Sequence, residues 1–311
     1  MGNRTSIKKS ITSRSGRFMK LAGMTATVAG RYASQKVQNA FSDEEKSKAR
    51  LSKTYEQMAN DVVDTLGELK GAVMKIGQIA SQTQDFLPKE FSEALKKLQK
   101  EAPPVEFSLI RTQIEQALGG TLEELFTSFD EQPYAAASIG QVHRAVTKQG
   151  LDVVVKVQYP GVDRSCDSDL KQLRLTLKLG GLIKMPKASV DALFDEIKAR
   201  LHEELDYKHE ARNLRRFRKF HKSHDFIIVP KVISSLSTRH VLTLEYVEGD
   251  HISELSNKSY PQETINKIGH NLFEMLAKQL FVFKQIHGDP HPGNFAFRSD
   301  GTVIIYDFGC V

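Results

Sequence analysis

Asp289, Asn294 and Asp307 fall within IHGDPHPGNFAFRSDGTVIIYDFGCV, residues 286–311, the stretch on which the chain ends. Two carboxylates and a carboxamide are hard oxygen donors, the kind magnesium prefers while it keeps further positions for water and phosphate. Asp289 and Asn294 are five positions apart. The segment NFAFRSDGTVIIYDFG can form a hairpin turning at Asp300-Gly301, which would return Asp307 to the side of Asn294. Phosphoryl transfer suits such a group, because there the protein does little covalent work and much positioning. Asn294 and Asp307 would hold the metal, and Asp289 would orient or deprotonate the attacking hydroxyl. A second chemistry draws on the same loop: His287, Asp289 and His291 as transition-metal ligands, with Pro290 and Pro292 stiffening them. A loop of satisfied polar caps, with no chemistry, is the third reading.

The first reading needs a cation for the phosphates. Lys156 stands among alternating valines in VVVKVQ. A lysine inside such a strand is costly without an anionic partner. Glu210, in EELDYKHEARN, is the expected partner; Asp206 lies one turn earlier on the same helix face and Glu204 is near. The run can also be a solvated helix surface. D-x₄-N followed by D-F-G matches the catalytic loop and metal-binding signature of protein kinases. VLTLEYVEG resembles the segment joining the two lobes of a kinase, so backbone groups of Glu245 and Val247 would meet adenine, with Leu244 behind it. The loop over the phosphates departs from G-x-G-x-x-G. Here Ala135, Ala136, Ala137, Ser138 and Gly140 stand in AAASIGQVHRA, where each Cβ tightens the approach to phosphate and disfavours positive φ.

Positioning these groups takes both helices and strands. After Phe129 the texture alternates and is valine-rich, predicting two or three strands with turns at Gln149-Gly150 and Pro160-Gly161. Helices are expected at about 189–202 and 204–220, and IIVPKVISSLSTRHVLTLEYVEGD reads as another strand pair. A long helix at about 262–285 follows. Its apolar run, Ile268 to Phe283, is broken by His270, Asn271, Glu274 and Lys278, so it reads as buried and not as a membrane span. Upstream, Val62, Leu66, Leu69, Val73, Ile76 and Ala80 form one apolar helix face. Lys75, Gln78 and Gln82 share a flank beside it, and Gly77 within it marks a close approach by another backbone. Thr121 and Glu124 read as a capping box before LEELFTSF.

The net charge of +6 is uneven. Residues 1–42 hold eight Lys or Arg and no acidic residue, which leaves 36 basic against 38 acidic elsewhere. The basic balance therefore belongs to the tail and gives no reason to expect a nucleic-acid partner. Three readings of the tail compete: a solvated arm, a basic amphipathic segment on an anionic membrane surface, and an organelle transit peptide. Its start, MGNRTS, also fits the myristoylation pattern. Two cysteines, Cys166 and Cys310, exclude a disulfide scaffold and suit a reducing compartment.

Taken in order, KIGQ, AAASIGQVH, VVVKVQYPG, EELDYKHEARN, HGDPHPGN and DFG resemble the UbiB/ABC1/ADCK (AarF) family of atypical kinases over about residues 50–311. The resemblance implies an α+β, protein-kinase-like two-lobed fold with an N-terminal helical KxGQ extension. It implies ATP or ADP binding with Mg²⁺, ATPase activity, and a link to membranes and isoprenoid-quinone lipids, notably ubiquinone biosynthesis. Lys75 and Gln78 would enter the cleft near Glu204 and Asp206 and block a protein substrate. The segments expected are a basic tail at 1–42, the helical extension at 43–130, an N-lobe with inserted helices at 131–248 and a partial C-lobe at 249–311. Family members continue past D-F-G, so a chain ending at Val311 lacks helices that bury the C-lobe, and low stability or aggregation is expected of it. The expected location is cytoplasmic and peripheral to the membrane, with mitochondrion or plastid as alternatives; protein partners stay open. HGDPHPGN with YDFG also resembles aminoglycoside and choline kinases, giving a small-alcohol kinase as the alternative function. A non-catalytic nucleotide-binding scaffold is the third.

Overall fold

The computed structural model describes residues 14–39, 44–69, 88–93, 104–137, 139–183, 185–257, 260–289, 291–309 and 311. Lys75, Gly77, Gln78 and the rest of the KIGQ stretch, with Ser138, lie outside them. The chain divides into two compact units. One takes in Met1–Ile110, Ala136–Gln141 and Gln158–His202; the other takes in Arg111–Ala135, Val142–Val157 and Glu203–Val311. The units do not follow the four segments anticipated from sequence: the tail and residues 43–110 of the helical extension fall in the first unit, residues 111–130 fall in the second, and the 131–248 segment is shared out.

The first unit is helical. Helix α1 (Arg14–Asn39) packs against α2 (Glu44–Leu69) and against α5 (Val162–Leu179). Leu21, Met24 and Val28 recur at helical spacing and are buried on this face. Thr25 shares a 2.6 Å hydrogen bond with Thr176, and Gln172 donates to the Thr25 hydroxyl at 2.7 Å. Arg31 pairs with Asp61 at 2.7 Å. The solvated-arm reading of the tail therefore fails over Arg14–Asn39, because its small apolar residues have a helical surface to cover. Gly181 (φ +62°) has the Tyr32 ring where a Cβ would be, a place only glycine can fill. Helix α6 (Lys187–Glu204) buries Val190, Phe194, Ile197 and Leu201.

The larger sheet is antiparallel and lies mostly in the second unit. Its path runs through β1 (Phe126–Phe129), β3 (Gly140–Thr147), β4 (Asp152–Gln158) and β6 (Val241–Glu245), with β2 (Ala135–Ala137) on β3. The turn between β3 and β4 uses Gly150 at φ +77°. The valines at 153, 155 and 157 are fully buried, so Val154 and Lys156 share the opposite face. Lys156 sits opposite Leu242. Helix α3 (Phe107–Leu118) is followed by the capping box at Thr121, which forms, but the helix it starts, α4 (Leu122–Leu125), lasts one turn. FTSF, expected to continue that helix, is β1 instead; its ladder with β3 outweighs the helical pattern.

A second, smaller sheet orders β5 (Ile227–Ile228), β8 (Val303–Ile305) and β7 (Phe295–Phe297). The strand pair expected in IIVPKVISSLSTRHVLTLEYVEGD forms as a short bridge, Val232 antiparallel to Leu244, while Ile227–Ile228 ahead of it joins the second sheet. β5 runs parallel to β8, and β6 pairs with β4. After the one-turn helix α8 (Glu254–Asn257), helix α9 (Gln262–Ala277) continues as a π-helical turn, Lys278–Phe283. Ile268, Asn271, Met275 and Gln279 are buried, but Phe273, Leu280, Phe281 and Val282 are exposed. The expectation of a fully buried helix is corrected: α9 packs one face on β8 and on the turn at Gly301, whose carbonyl accepts from the Asn271 amide at 2.8 Å.

Candidate active site

Three elements of the second unit bring the charged groups together. Strand β4 supplies Lys156. Helix α7 (Tyr207–Phe220) supplies Glu210 from a buried face that also holds Tyr207, Asn213, Leu214 and Phe217. The β7–β8 hairpin returns the chain so that Tyr306 N–H donates to the Asn294 carbonyl at 2.9 Å, and Asp307 follows directly. The Lys156 ammonium donates to both carboxylate oxygens of Glu210, at 2.8 and 2.9 Å, and to Asp307 Oδ2 at 2.9 Å. Its three hydrogens therefore have three acceptors.

These contacts separate the two acids. The Glu210 side chain is 4% exposed and the Asp307 side chain 38%. Burial raises the Glu210 carboxyl to about 7, against the pull of Lys156. Burial would raise Asp307 too, but Lys156 and the Gly309 N–H, which donates to Oδ1 at 2.9 Å, hold it at about 2. Burial works against the Lys156 charge, yet Asp307 and Glu210 outweigh it and hold the ammonium well above its usual range. At neutral pH the arrangement keeps an ammonium and at least one carboxylate charged.

The backbone of the D-F-G segment is anchored on α7 and on the loop before β7. Asn213 donates to the Phe308 carbonyl at 3.0 Å, and the Phe217 and Phe308 ring centroids are 4.9 Å apart. His287 is buried and donates from Nε2 to the Asp307 carbonyl at 2.5 Å. The Tyr207 ring lies under Lys156, 5.2 Å from Nζ to the centroid, with its hydroxyl buried and unpartnered. The Asn294 amide nitrogen donates to the Asp289 carbonyl at 3.0 Å, so its oxygen is the atom turned to other partners.

The ABC1 atypical kinase-like domain family matches residues 97–311. This chain belongs to that family. It is 36% identical over 269 residues to the chloroplastic Activity of bc1 Complex Kinase 7 of Arabidopsis thaliana, covering 86% of this chain and 38% of the relative. It is 34% identical to the mitochondrial atypical kinase coq-8 of Caenorhabditis elegans, covering 82% of this chain and 34% of that one. The solved structure of Rv3197 with erythromycin, from Mycobacterium tuberculosis, superimposes with a TM-score of 0.57 at 37% identity. That likeness covers 86% of this chain and 67% of the other. The ABC1 chain thus spans well under half the length of these two curated relatives. Its fold is kinase-like, mixed α and β.

Within this ABC1 fold, Lys156, Glu210 and Asp307 meet as the sequence suggested, and Asn294 and Asp289 lie on the adjoining loop. Asp206 instead caps α7, accepting from Lys208 N–H at 3.0 Å. Glu204, at the end of α6, would lie 3.8 Å from a Cβ on Gly309, beside the D-F-G turn. Ala135–Ala137 form β2, and Gly140 opens β3 without a positive φ. Glu245 closes β6, where its N–H donates to the Lys231 carbonyl at 2.8 Å; the Val247 carbonyl accepts from the Tyr306 hydroxyl at 2.8 Å. The transition-metal reading of the loop fails. His287 is turned to the Asp307 carbonyl, His291 caps the Gly293 N–H at 3.1 Å, and no shared cluster of donor atoms forms from them among the described residues. Tyr207, Asn213 and His287 are the positioning groups that the sequence did not assign. Tyr207 and Asn213 stand three residues either side of Glu210, so the helical period was the signal that could have found them.

Proposed function

We propose that the chain binds a nucleoside triphosphate with magnesium and transfers or hydrolyses its terminal phosphoryl group. The single observation carrying this is the Lys156 ammonium held between Glu210 and Asp307. A phosphate oxygen reaching Lys156 must displace one acceptor. Glu210 is buried and bidentate, whereas Asp307 is half-buried and ionised, so Asp307 is the partner that lets go. Asp307 and the Asn294 amide oxygen would then hold magnesium, and both fit as hard oxygen donors. When bound, the ion would neutralise charge on the phosphates. Asp289 would orient the acceptor hydroxyl or water. Adenine would meet the Glu245 carbonyl and the Val247 N–H. Lys75 and Gln78, which lie outside the described residues, enter this proposal on the family resemblance alone as groups that shield the chemistry from a protein acceptor; Glu204 and Asp206 enter it as acids near the site, and Ala135, Ala136, Ala137, Ser138 and Gly140 as the phosphate-facing loop.

The family resemblance supports a role in isoprenoid-quinone or related lipid metabolism at a membrane surface, and relatives named chloroplastic and mitochondrial support an organelle as its place. No helix among the described residues is long and apolar enough to cross a membrane. Peripheral attachment through α1 is the proposed mode. Exposed Phe18 and Met19 at its start, with basic neighbours, support it. A second reading, a small-alcohol phosphotransferase, is favoured by the erythromycin bound to Rv3197.

The test is calorimetric. Asp307→Asn is expected to abolish magnesium-dependent ATP binding while the melting profile stays cooperative; unchanged binding ends the metal assignment. Turnover stimulated by anionic liposomes supports the lipid reading. Turnover raised only by a soluble alcohol supports the second, and tight binding without turnover makes the chain a nucleotide-binding scaffold.

A further inference from the structure

We propose that Cys166, Asp167 and His202 form a binding site for a borderline-soft divalent cation of the zinc class. The three donors come from a helical hairpin of the first unit. Cys166 and Asp167 stand in the first turns of α5, and His202 stands in the last turn of α6. The Cys166 sulfur, a carboxylate oxygen of Asp167 and a ring nitrogen of His202 lie within 4.8 Å of one another.

The convergence is on one atom, Asp167 Oδ1. His202 Nε2 is 2.9 Å from it and Cys166 Sγ is 3.9 Å from it. The other carboxylate oxygen, Oδ2, faces Lys198 at 3.6 Å. The lysine therefore offsets the acid's charge from the far side and leaves the inner oxygen toward sulfur and nitrogen. A tetrahedral ion with bonds of about 2.0–2.3 Å sets its ligand atoms roughly 3.3–3.8 Å apart. The observed separations bracket that spacing, so the nitrogen must open by about half an ångström and the sulfur close slightly, which side-chain rotation supplies.

Burial is graded in the sense a cation site needs. Cys166 is 2% exposed, while the Asp167 and His202 side chains are each about half exposed. The sulfur forms the floor, oxygen and nitrogen form the rim, and a fourth position faces water. Thiolate with imidazole selects zinc-class ions over magnesium, so this site and a magnesium–nucleotide site call for different ions. Without a cation, burial and Asp167 push the Cys166 thiol up to about 11 and keep it protonated. Coordination takes the thiolate and releases that proton to solvent.

Cobalt(II) chloride is the probe, titrated into the full untagged chain under reducing, metal-free conditions. A one-to-one complex with a sulfur-to-cobalt charge-transfer band is expected, displaced by zinc chloride. Cobalt on carboxylate and phosphate oxygens alone gives no such band, so a magnesium site cannot imitate it. Cys166→Ser is expected to lose the band. His202→Gln, at an exposed position that folding does not need, is expected to keep the fold and weaken zinc binding. The loss should be at least the roughly 10–100-fold that follows removal of a mere supporting group at a metal site. Absence of the band, its persistence in Cys166→Ser, or unchanged affinity in His202→Gln overturns the proposal and leaves a hydrogen-bonded pair beside a buried thiol.

Discussion

Lys156 is the residue on which the second unit's electrostatics turn. Replacing it with methionine leaves Glu210 and Asp307 facing each other with no cation between them. Breaking a buried pair by deleting one partner costs about 3–5 kcal/mol. Lys156→Met should therefore lower the unfolding free energy measured in urea by an amount in that range and abolish nucleotide binding; a loss under about 1 kcal/mol would mean that water already screens the cluster. Glu210 gives a pH test. Its carboxyl is raised from 4.5 to about 7 in the fold, so the folded state holds that proton more tightly. The stability this contributes is present below about pH 4.5 and is lost as pH rises toward 7. Asp307 has the opposite sign: held at about 2 against 3.8, it contributes above 3.8 and is lost as pH falls toward 2. The difference in unfolding free energy between the native chain and Glu210→Gln should then fall from pH 4.5 to 7 and level off above. A difference that stays flat over that interval, with its change confined below pH 4.5, would show that the ammonium, and not burial, sets the Glu210 carboxyl.

At the scale of elements, the D-F-G segment is placed by a hairpin with little slack. A Cβ on Gly249 would lie 2.5 Å from Ile304 Cδ1 and 3.0 Å from the Ala296 Cβ. Both neighbours belong to the hairpin, and Ala296 and Ile304 are packed with Val247. Overpacking of this kind costs about 1–3 kcal/mol. Gly249→Ala should lower the melting temperature accordingly and weaken magnesium–nucleotide binding with it, because the hairpin that yields also carries Asp307. Unimpaired binding in a destabilised variant would show that the hairpin relaxes away from the site. What was legible in the sequence follows from the range of each interaction. The hairpin was legible because Asp300-Gly301 is a local turn signal, and Gly301 takes φ +90° there. Lys156 was legible because an ammonium among alternating valines demands a partner, and α7 because it carries the acid, Glu210, that can answer it. The fate of Ile227–Ile228 was not legible: two residues carry almost no pattern, and their partner strand, Val303–Ile305, lies more than seventy positions on. Nor was the exposed face of α9, since an apolar run reads alike whichever side is covered.

For the whole molecule the open question is what its uneven charge does. All eight basic residues of positions 1–42 stand without an acid among them, yet α1 is not an arm, since Leu21, Met24 and Val28 are buried in the first unit. That packing was hidden because serine, threonine, glycine and alanine dominate the segment, a composition shared by solvated tails and by close helix contacts. Its start remains outward, with Phe18 65% and Met19 74% exposed. An exposed aromatic and a thioether in a stretch whose sequence is rich in Lys and Arg combine an insertable apolar tip with headgroup attraction worth about 1 kcal/mol per basic residue near an anionic surface. The chain should therefore pellet with phosphatidylglycerol vesicles and not with phosphatidylcholine alone. Binding should weaken as salt shortens the screening length from about 30 Å at 0.01 M to about 8 Å at 0.15 M. The double change Phe18→Ser with Met19→Ser touches no buried contact, so it should leave the melting temperature in place and reduce pelleting at every salt concentration. Binding indifferent to both headgroup and salt, or untouched by the double change, would remove α1 from the membrane and leave its charge to serve another partner.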